Sequence, residues 1–405
     1  MKRHTLATLN ILEPGSHKPH GLPLLRLGFR PFYLCAALLA IGNVGVWAIV
    51  SLGWLDWRPA LPALYWHAHE MLFGFAAAVI VGFLLTAGKN WTGRQTPRGR
   101  ALGALVLLWL AARLAALCGP PWLFALLDVA LLPLIAGVLL HILRAAGNQR
   151  NLPIVAILGL LCLANAGFHL AAAGVLPIAP LQALHAALAL VVMLEMVMAG
   201  RVIPGFTESA LPRVKIGRIA ALERGALGAG ALGLLLWVLE IPGTAMASAS
   251  GVVLLLAAVL HALRAARWKA WQVRGNPMLW ILHAAYAWIV AGLLLLALAQ
   301  WGWVASTLAV HALAVGATGA LILGMMTRTA RGHTGRMQRA SRHEVLAFAC
   351  VLLSALARVG LPLVWPALHD VAVAAAALLW CLAFGLFLVQ YTPWLMQGRI
   401  DGSDG

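Results

Sequence analysis

Residues Tyr65–Gly88 read YWHAHEMLFGFAAAVIVGFLLTAG. From Met71 onward the run carries no charge, and at about 1.5 Å of rise per residue it is nearly long enough to cross ~30 Å of hydrocarbon as an α-helix. The rest of the chain repeats the pattern. Of 405 residues, 62% are hydrophobic and only 10% charged, against roughly 25% charged in soluble domains, and the mean hydropathy is +0.90. Long apolar runs without the short alternation of membrane β-strands predict an all-α polytopic membrane protein.

Reading apolar runs between charged or Pro/Gly-rich punctuation gives about twelve spans, near 31–52, 65–87, 101–117, 122–142, 152–174, 181–202, 224–240, 247–265, 277–299, 304–326, 344–361 and 370–391. The net charge of +17 does not call for nucleic acid, because the basic residues gather in every second loop, as at Lys89, Arg94, Arg98 and Arg100 or Arg328, Arg331 and Arg336. By the positive-inside rule those loops are cytoplasmic, and the tryptophans of the opposite connections, such as Trp54, Trp122, Trp303 and Trp365, form an interfacial belt in the lipid bilayer. Both termini are then cytoplasmic, with a segment over 1–30, one helical membrane domain over 31–391 and a tail over 392–405. The five cysteines form no C-x-x-C pair, which argues against covalent c-type haem and a disulfide framework.

An internal echo points to three four-helix units. The second, sixth and tenth spans each enter from outside with histidine in their first turns (His67 and His69, His185, His311), and two of them leave through the tripeptide TGR, at Thr92–Arg94 and Thr334–Arg336. The fifth span runs outward and carries His169 near its end, so five histidines on four helices share one outer level. Ionisable groups at membrane depth are costly unless a cavity, partner or metal satisfies them, and neutral imidazole is the commonest metal ligand. A histidine hydrogen-bonded to a neighbour is the ordinary alternative for any one of them; the shared depth favours metal.

On an ideal helix His67 and His69 point about 200° apart, so a regular helix cannot aim both at one ion: either they serve different centres, which suits a protein with more than one cofactor, or they belong to a non-helical entry segment. Glu70 is a candidate to orient a ligand or accept a proton, or else a carboxylate favoured by the helix N-terminus. Asn165 lies on one stripe with Cys162 and His169. Gly316, Gly319 and Gly324 read first as close helix packing. A second polar set of matched depth nearer the cytoplasm comprises Glu195, Met196, His283 and Tyr286. Arg113/Asp128 and Arg358/Asp370 read as ion pairs across outer turns, with haem propionates as the alternative partners of the arginines.

The segments GFRPFYL, WHAHEMLFGFAAAVIVGFLLTAGKNWTGR, NAGFH, MAGRVIPGFT and HALAVGATGALILGMMTRTARGHTGR resemble the NnrS family of bacterial membrane proteins, over nearly the whole chain from about Leu27. The resemblance implies a multi-pass protein of the bacterial inner (cytoplasmic) membrane, carrying b-type haem and copper and tied to nitric oxide metabolism, nitrosative-stress resistance and denitrification. The family's metal ligands are not carried over by position; the candidates His67, His69, His169, His185 and His311 come from the depth argument. Twelve helices with an outer histidine layer are also similar to the haem–copper oxidases and NO reductases, but no motif is shared.

The expected function is binding of nitric oxide at a histidine-ligated haem or metal in the outer half of the membrane, with reduction by a nitric oxide reductase-like oxidoreductase activity. The second metal is copper or a non-haem metal such as iron. Glu70 and Glu195 are the candidate proton-handling residues, Asn165, Arg113 and Arg358 candidate cofactor contacts, and a membrane or periplasmic electron donor the expected partner. Two other classes stay open: a non-catalytic NO sink or sensor, and a polytopic transporter of metal, haem or a small solute, for which Met193, Met196, Met198, Met325 and Met326 are soft ligands.

Overall fold

The computed structural model describes residues 21–57 and 61–403. Twelve helices are long and apolar enough to span a membrane: α1 Phe29–Ser51, α2 Ala63–Thr92, α3 Arg100–Cys118, α4 Pro121–Ala145, α5 Gln149–Ala172, α6 Pro180–Ala210, α7 Ala220–Leu239, α8 Thr244–Ala266, α9 Pro277–Gln300, α10 Ser306–His333, α11 Arg342–Val364 and α12 Pro366–Met396. No β-strand occurs among the described residues. The first of these helices begins at Phe29 and the last ends at Met396, and residues 1–20 of the expected N-terminal segment lie outside the described residues.

Burial sorts the helices into layers. In α2 and α10 72% of the most apolar stretch is buried, in α9 61% and in α6 56%, whereas the other eight lie between 28% and 39%. Helices α2, α6 and α10 touch one another at the centre. They are the three helices that the histidine echo singled out, and each heads a run of four. Around them the outer helices follow in chain order, and α12 packs on α1 to close the ring. Arg30 fastens that closure, its buried Nη1 donating to the carbonyls of Leu395 at 2.9 Å and Gln397 at 2.6 Å. The two ends of the described chain therefore lie on the same side.

Local chemistry accounts for the ends of the central helices. Both TGR tripeptides place glycine in the left-handed region, Gly93 at φ 66° and Gly335 at φ 78°, where a side chain would be strained and helices commonly stop. Near the same face two buried networks stitch neighbouring helices. Arg264 of α8 donates to Glu223 of α7 at 2.6 Å and to Tyr286 of α9 at 2.9 Å. Arg331 of α10 holds both oxygens of Glu344 on α11, at 2.6 and 2.7 Å, and Tyr391 of α12 donates to the same carboxylate. Each satisfies an ionised pair that would be expensive to bury alone.

Two central helices depart from α-geometry where their histidines end. In α2 a π-helical segment runs Glu70–Ala76, directly after His69, and in α10 another runs Ala312–Gly319, directly after His311. A third, Leu356–Gly360 in α11, contains Arg358. Single π segments in membrane helices commonly mark functional positions, since the wider turn re-aims the side chains beside it.

Candidate metal centre

The first turns of α2 carry His67 and His69 on different sides, as the 200° spacing predicts, and the two meet different partners. His69 is fully buried and points toward α4 and α5. Its Nε2 lies 3.2 Å from Asp128 Oδ2 and 3.2 Å from Asn165 Oδ1, and its Nδ1 lies 3.2 Å from Glu70 Oε1. His169 comes in from α5 with Nε2 3.1 Å from the same Asp128 oxygen. The ligand atoms of His69, Asp128 and His169 all fall within 4.8 Å of one another. For metal–ligand bonds of about 2.0–2.1 Å a tetrahedral arrangement separates neighbouring ligand atoms by about 3.3 Å, which the two Asp128–imidazole separations match.

Behind the trio stands a charged layer. Arg113 of α3 donates to Glu70 Oε1 at 2.7 Å and also pairs with Asp128, and Asn165 donates to Asp128 Oδ2 at 2.7 Å. Glu70, Asp128 and Arg113 are all nearly inaccessible, with 1%, 5% and 6% exposure. Two carboxylates against one guanidinium leave one negative charge in excess if both imidazoles are neutral. Uncompensated charge is very costly in an apolar interior, and a bound cation or a proton on an imidazole removes it. The expected Arg113–Asp128 ion pair is present, but it is part of this cluster rather than only a hairpin brace.

Close packing fixes the layer. A side chain at Gly74 would meet Arg113 Nη1 at 3.0 Å and Glu70 Oε2 at 3.2 Å, so the π segment approaches α3 only because Gly74 has none. Trp109 donates its indole N–H to the Gly74 carbonyl at 3.1 Å. Phe73, Phe124 and Phe168 surround the His69 ring at centroid distances of 4.7–5.1 Å, which keeps the imidazole from rotating and excludes bulk water.

The opposite side of α2 holds a second arrangement. His67 stacks on Trp47 at 4.8 Å, and its Nδ1 lies 2.7 Å from the side-chain oxygen of Asn43. On α10, His311 Nδ1 lies 2.7 Å from the Thr307 carbonyl. An oxygen at that distance calls for N–H on Nδ1, which leaves each Nε2 with a free lone pair, the tautomer that metal ligation uses. His67 lies within electrostatic range of His311 and Arg358, and His311 within range of Arg358 and His369. Arg358, within the π segment of α11, makes no ion pair with Asp370, and its buried Nη1 has no hydrogen-bond partner.

The remaining candidates separate. His185 packs its ring on Trp237 at 4.7 Å, with Nδ1 3.5 Å from Glu240 on the α6–α7 side, apart from both histidine groups. Glu195 does not meet His283. It faces Thr318 of α10, while His283 lies 3.2 Å from Thr207 and the Tyr286 hydroxyl serves His261 and Arg264. Matched depth did not bring these residues together, because α6 and α9 present them on different faces. Met196 packs beside His261 against Gly230, and its carbonyl accepts from Arg264. Gly316, Gly319 and Gly324 are filled by Trp288, Trp380 and Leu282, which is helix packing.

Asp128 is the member of the cluster that the sequence does not single out as a candidate ligand. It stands in a helix opposite an arginine and reads as half of an ion pair; the available signal is its depth, level with His169 at the far ends of the α4–α5 hairpin.

Residues 23–399, nearly the whole chain, match the family model described as NnrS protein. No curated protein matches the chain.

Proposed function

The chain belongs to the NnrS family, and on that premise we propose that it is a metal-containing membrane protein of nitric oxide metabolism that binds NO at the His69–Asp128–His169 centre and reduces it. Family membership and the twelve-helix membrane fold fit a nitric-oxide-related membrane protein. The observation that carries the finer reading is the convergence of two imidazoles and one carboxylate in a buried site with negative charge in excess. Two nitrogens and one oxygen suit a divalent transition ion, iron or copper(II), better than the soft ion copper(I). His67 and His311 are the proposed ligands of a separate b-type haem, with the unpartnered Arg358 available to a propionate; Arg113 already serves Glu70 and Asp128.

A transition ion held by His69, Asp128 and His169 would supply NO binding and electron exchange. The protein's own residues do the rest. Glu70 orients the His69 ring through Nδ1 and is itself held in place beside the centre by Arg113. Asn165 holds the Asp128 oxygen that both imidazoles share. The phenylalanine shell lowers the local dielectric, which strengthens each of these interactions. Bacterial inner-membrane placement, with the histidine ends of α2 and α10 facing outward, belongs to the same reading.

The test is NO loss under anaerobic reducing conditions with purified protein. Removal of many equivalents per chain supports turnover. Saturation near the number of metal sites replaces it with a sink or sensor, and absence of any metal in repeated preparations favours a transporter.

A further inference from the structure

On the side away from the His69 cluster, α1, α2, α6, α9 and α10 enclose a cavity of about 100 Å³, several times what one water needs. It lies between Val79 and Leu84 along α2, about 15–22 Å from His69 at the helical rise. Of the side chains that line it, only Tyr33 and Glu195 are polar; the rest are aliphatic, methionine or phenylalanine. Phe83, Met198 and Met325 are only half-buried, so the cavity opens on the surface at the level of the spans, where lipid is the solvent.

The polar atoms here are under-satisfied. Thr318 is the neighbour of Glu195 and Thr329 that of Tyr33, but Glu195 Oε2, the Tyr33 hydroxyl and the Thr318 hydroxyl are buried without a well-formed hydrogen bond, and Tyr33 is fully buried. Buried polar groups are normally paired. An acyl chain or a diatomic gas would leave these atoms as they are. A ligand that suits the cavity has an apolar body, reaches it from the bilayer, and brings hydroxyl or carbonyl groups that donate to a carboxylate and accept from a phenol.

We propose that this cavity is a binding site for a membrane quinol, with Glu195 accepting a hydrogen bond from a ring hydroxyl and Tyr33 donating to a ring oxygen. The choice of a quinol over another hydroxylated lipid rests on the proposed reduction of NO. One quinol becoming a quinone releases two electrons and two protons, and joining two NO into N2O and water consumes the same number. Glu195, a carboxylate at the ring hydroxyl, is placed to take one of those protons toward Thr318 and the π segment of α10.

The experiment uses full-length protein in lipid nanodiscs and decylubiquinone as the probe, with binding read by tryptophan quenching and by quinone extracted per chain. Wild type is expected to bind saturably, about one per chain. Ala199→Phe, which fills a lining position, is expected to weaken binding at least tenfold, and Glu195→Gln about threefold to tenfold. Should Ala199→Phe fail to fold, wild-type saturation and Glu195→Gln still decide. Non-saturable uptake that is equal in wild type and Glu195→Gln, or equal displacement by oleic acid, overturns the proposal, the latter in favour of an acyl-chain occupant. Metal content of the same samples tests the functional reading separately, since quinone binding needs no metal.

Discussion

His69 and His169, on helices α2 and α5, share a single oxygen: Asp128 Oδ2 stands 3.2 Å from one Nε2 and 3.1 Å from the other. Neither histidine is held there by the shape of its own helix alone. The arrangement depends on Asn165 and Arg113 restraining the carboxylate and on aromatic rings restraining the imidazoles.

Histidine variants should divide accordingly. His69→Ala and His169→Ala are expected to lose the metal of this centre, whereas His185→Ala, whose partners are Trp237 and Glu240, keeps it. Elemental analysis of the purified variants reads the difference, and equal loss in all three would mean that His185 also reaches the centre.

Glu70→Gln keeps the shape of the side chain and removes its charge. Loss of a group that orients a ligand imidazole typically costs 10–100-fold in metal affinity, so competition against a chelator should show a weakening in that range with helix content unchanged. An unaltered affinity would reduce Glu70 to a partner of Arg113.

Gly74→Ala and Gly137→Ala are a matched pair in lipid-level helices. The new methyl at 74 meets Leu39 and the Arg113 guanidinium, while at 137 nothing lies within 4 Å. Overpacking of this kind costs about 1–3 kcal/mol. Thermal unfolding in detergent should drop for Gly74→Ala, with loss of metal, and stay unchanged for Gly137→Ala.

The networks at the other face should affect stability and not metal. Glu344→Ala strips the buried Arg331 of its carboxylate and leaves Tyr391 without its acceptor, a change of about 3–5 kcal/mol. The expected result is a lower unfolding temperature with the metal content of whatever folds unaltered.

Much of this fold is legible in the sequence because membrane spans depend on composition, which a single chain displays directly. The spans near 65–87, 181–202 and 304–326 were all placed, and the histidine echo at their heads marks the three mutually touching central helices. Opposite aim for His67 and His69 follows from helical rotation alone. What the sequence withholds is azimuth between helices. Glu195 and His283 have the right depths but different neighbours, and Arg358, which lies in a π segment with no reliable sequence signature, makes no pair with Asp370. The pairing of Asp128 with Arg113 follows from their positions across a short turn, but the contacts of the same carboxylate with His69 and His169 depend on how α2 and α5 pack beside α4, which spacing does not encode.

The most direct measurement is metal per chain in wild type, His69→Ala, Asp128→Asn and His169→Ala, each followed by anaerobic NO titration. The account predicts a transition metal in wild type that all three substitutions remove, together with the NO bound at that centre. Full metal content and unchanged NO stoichiometry in all three variants would contradict it.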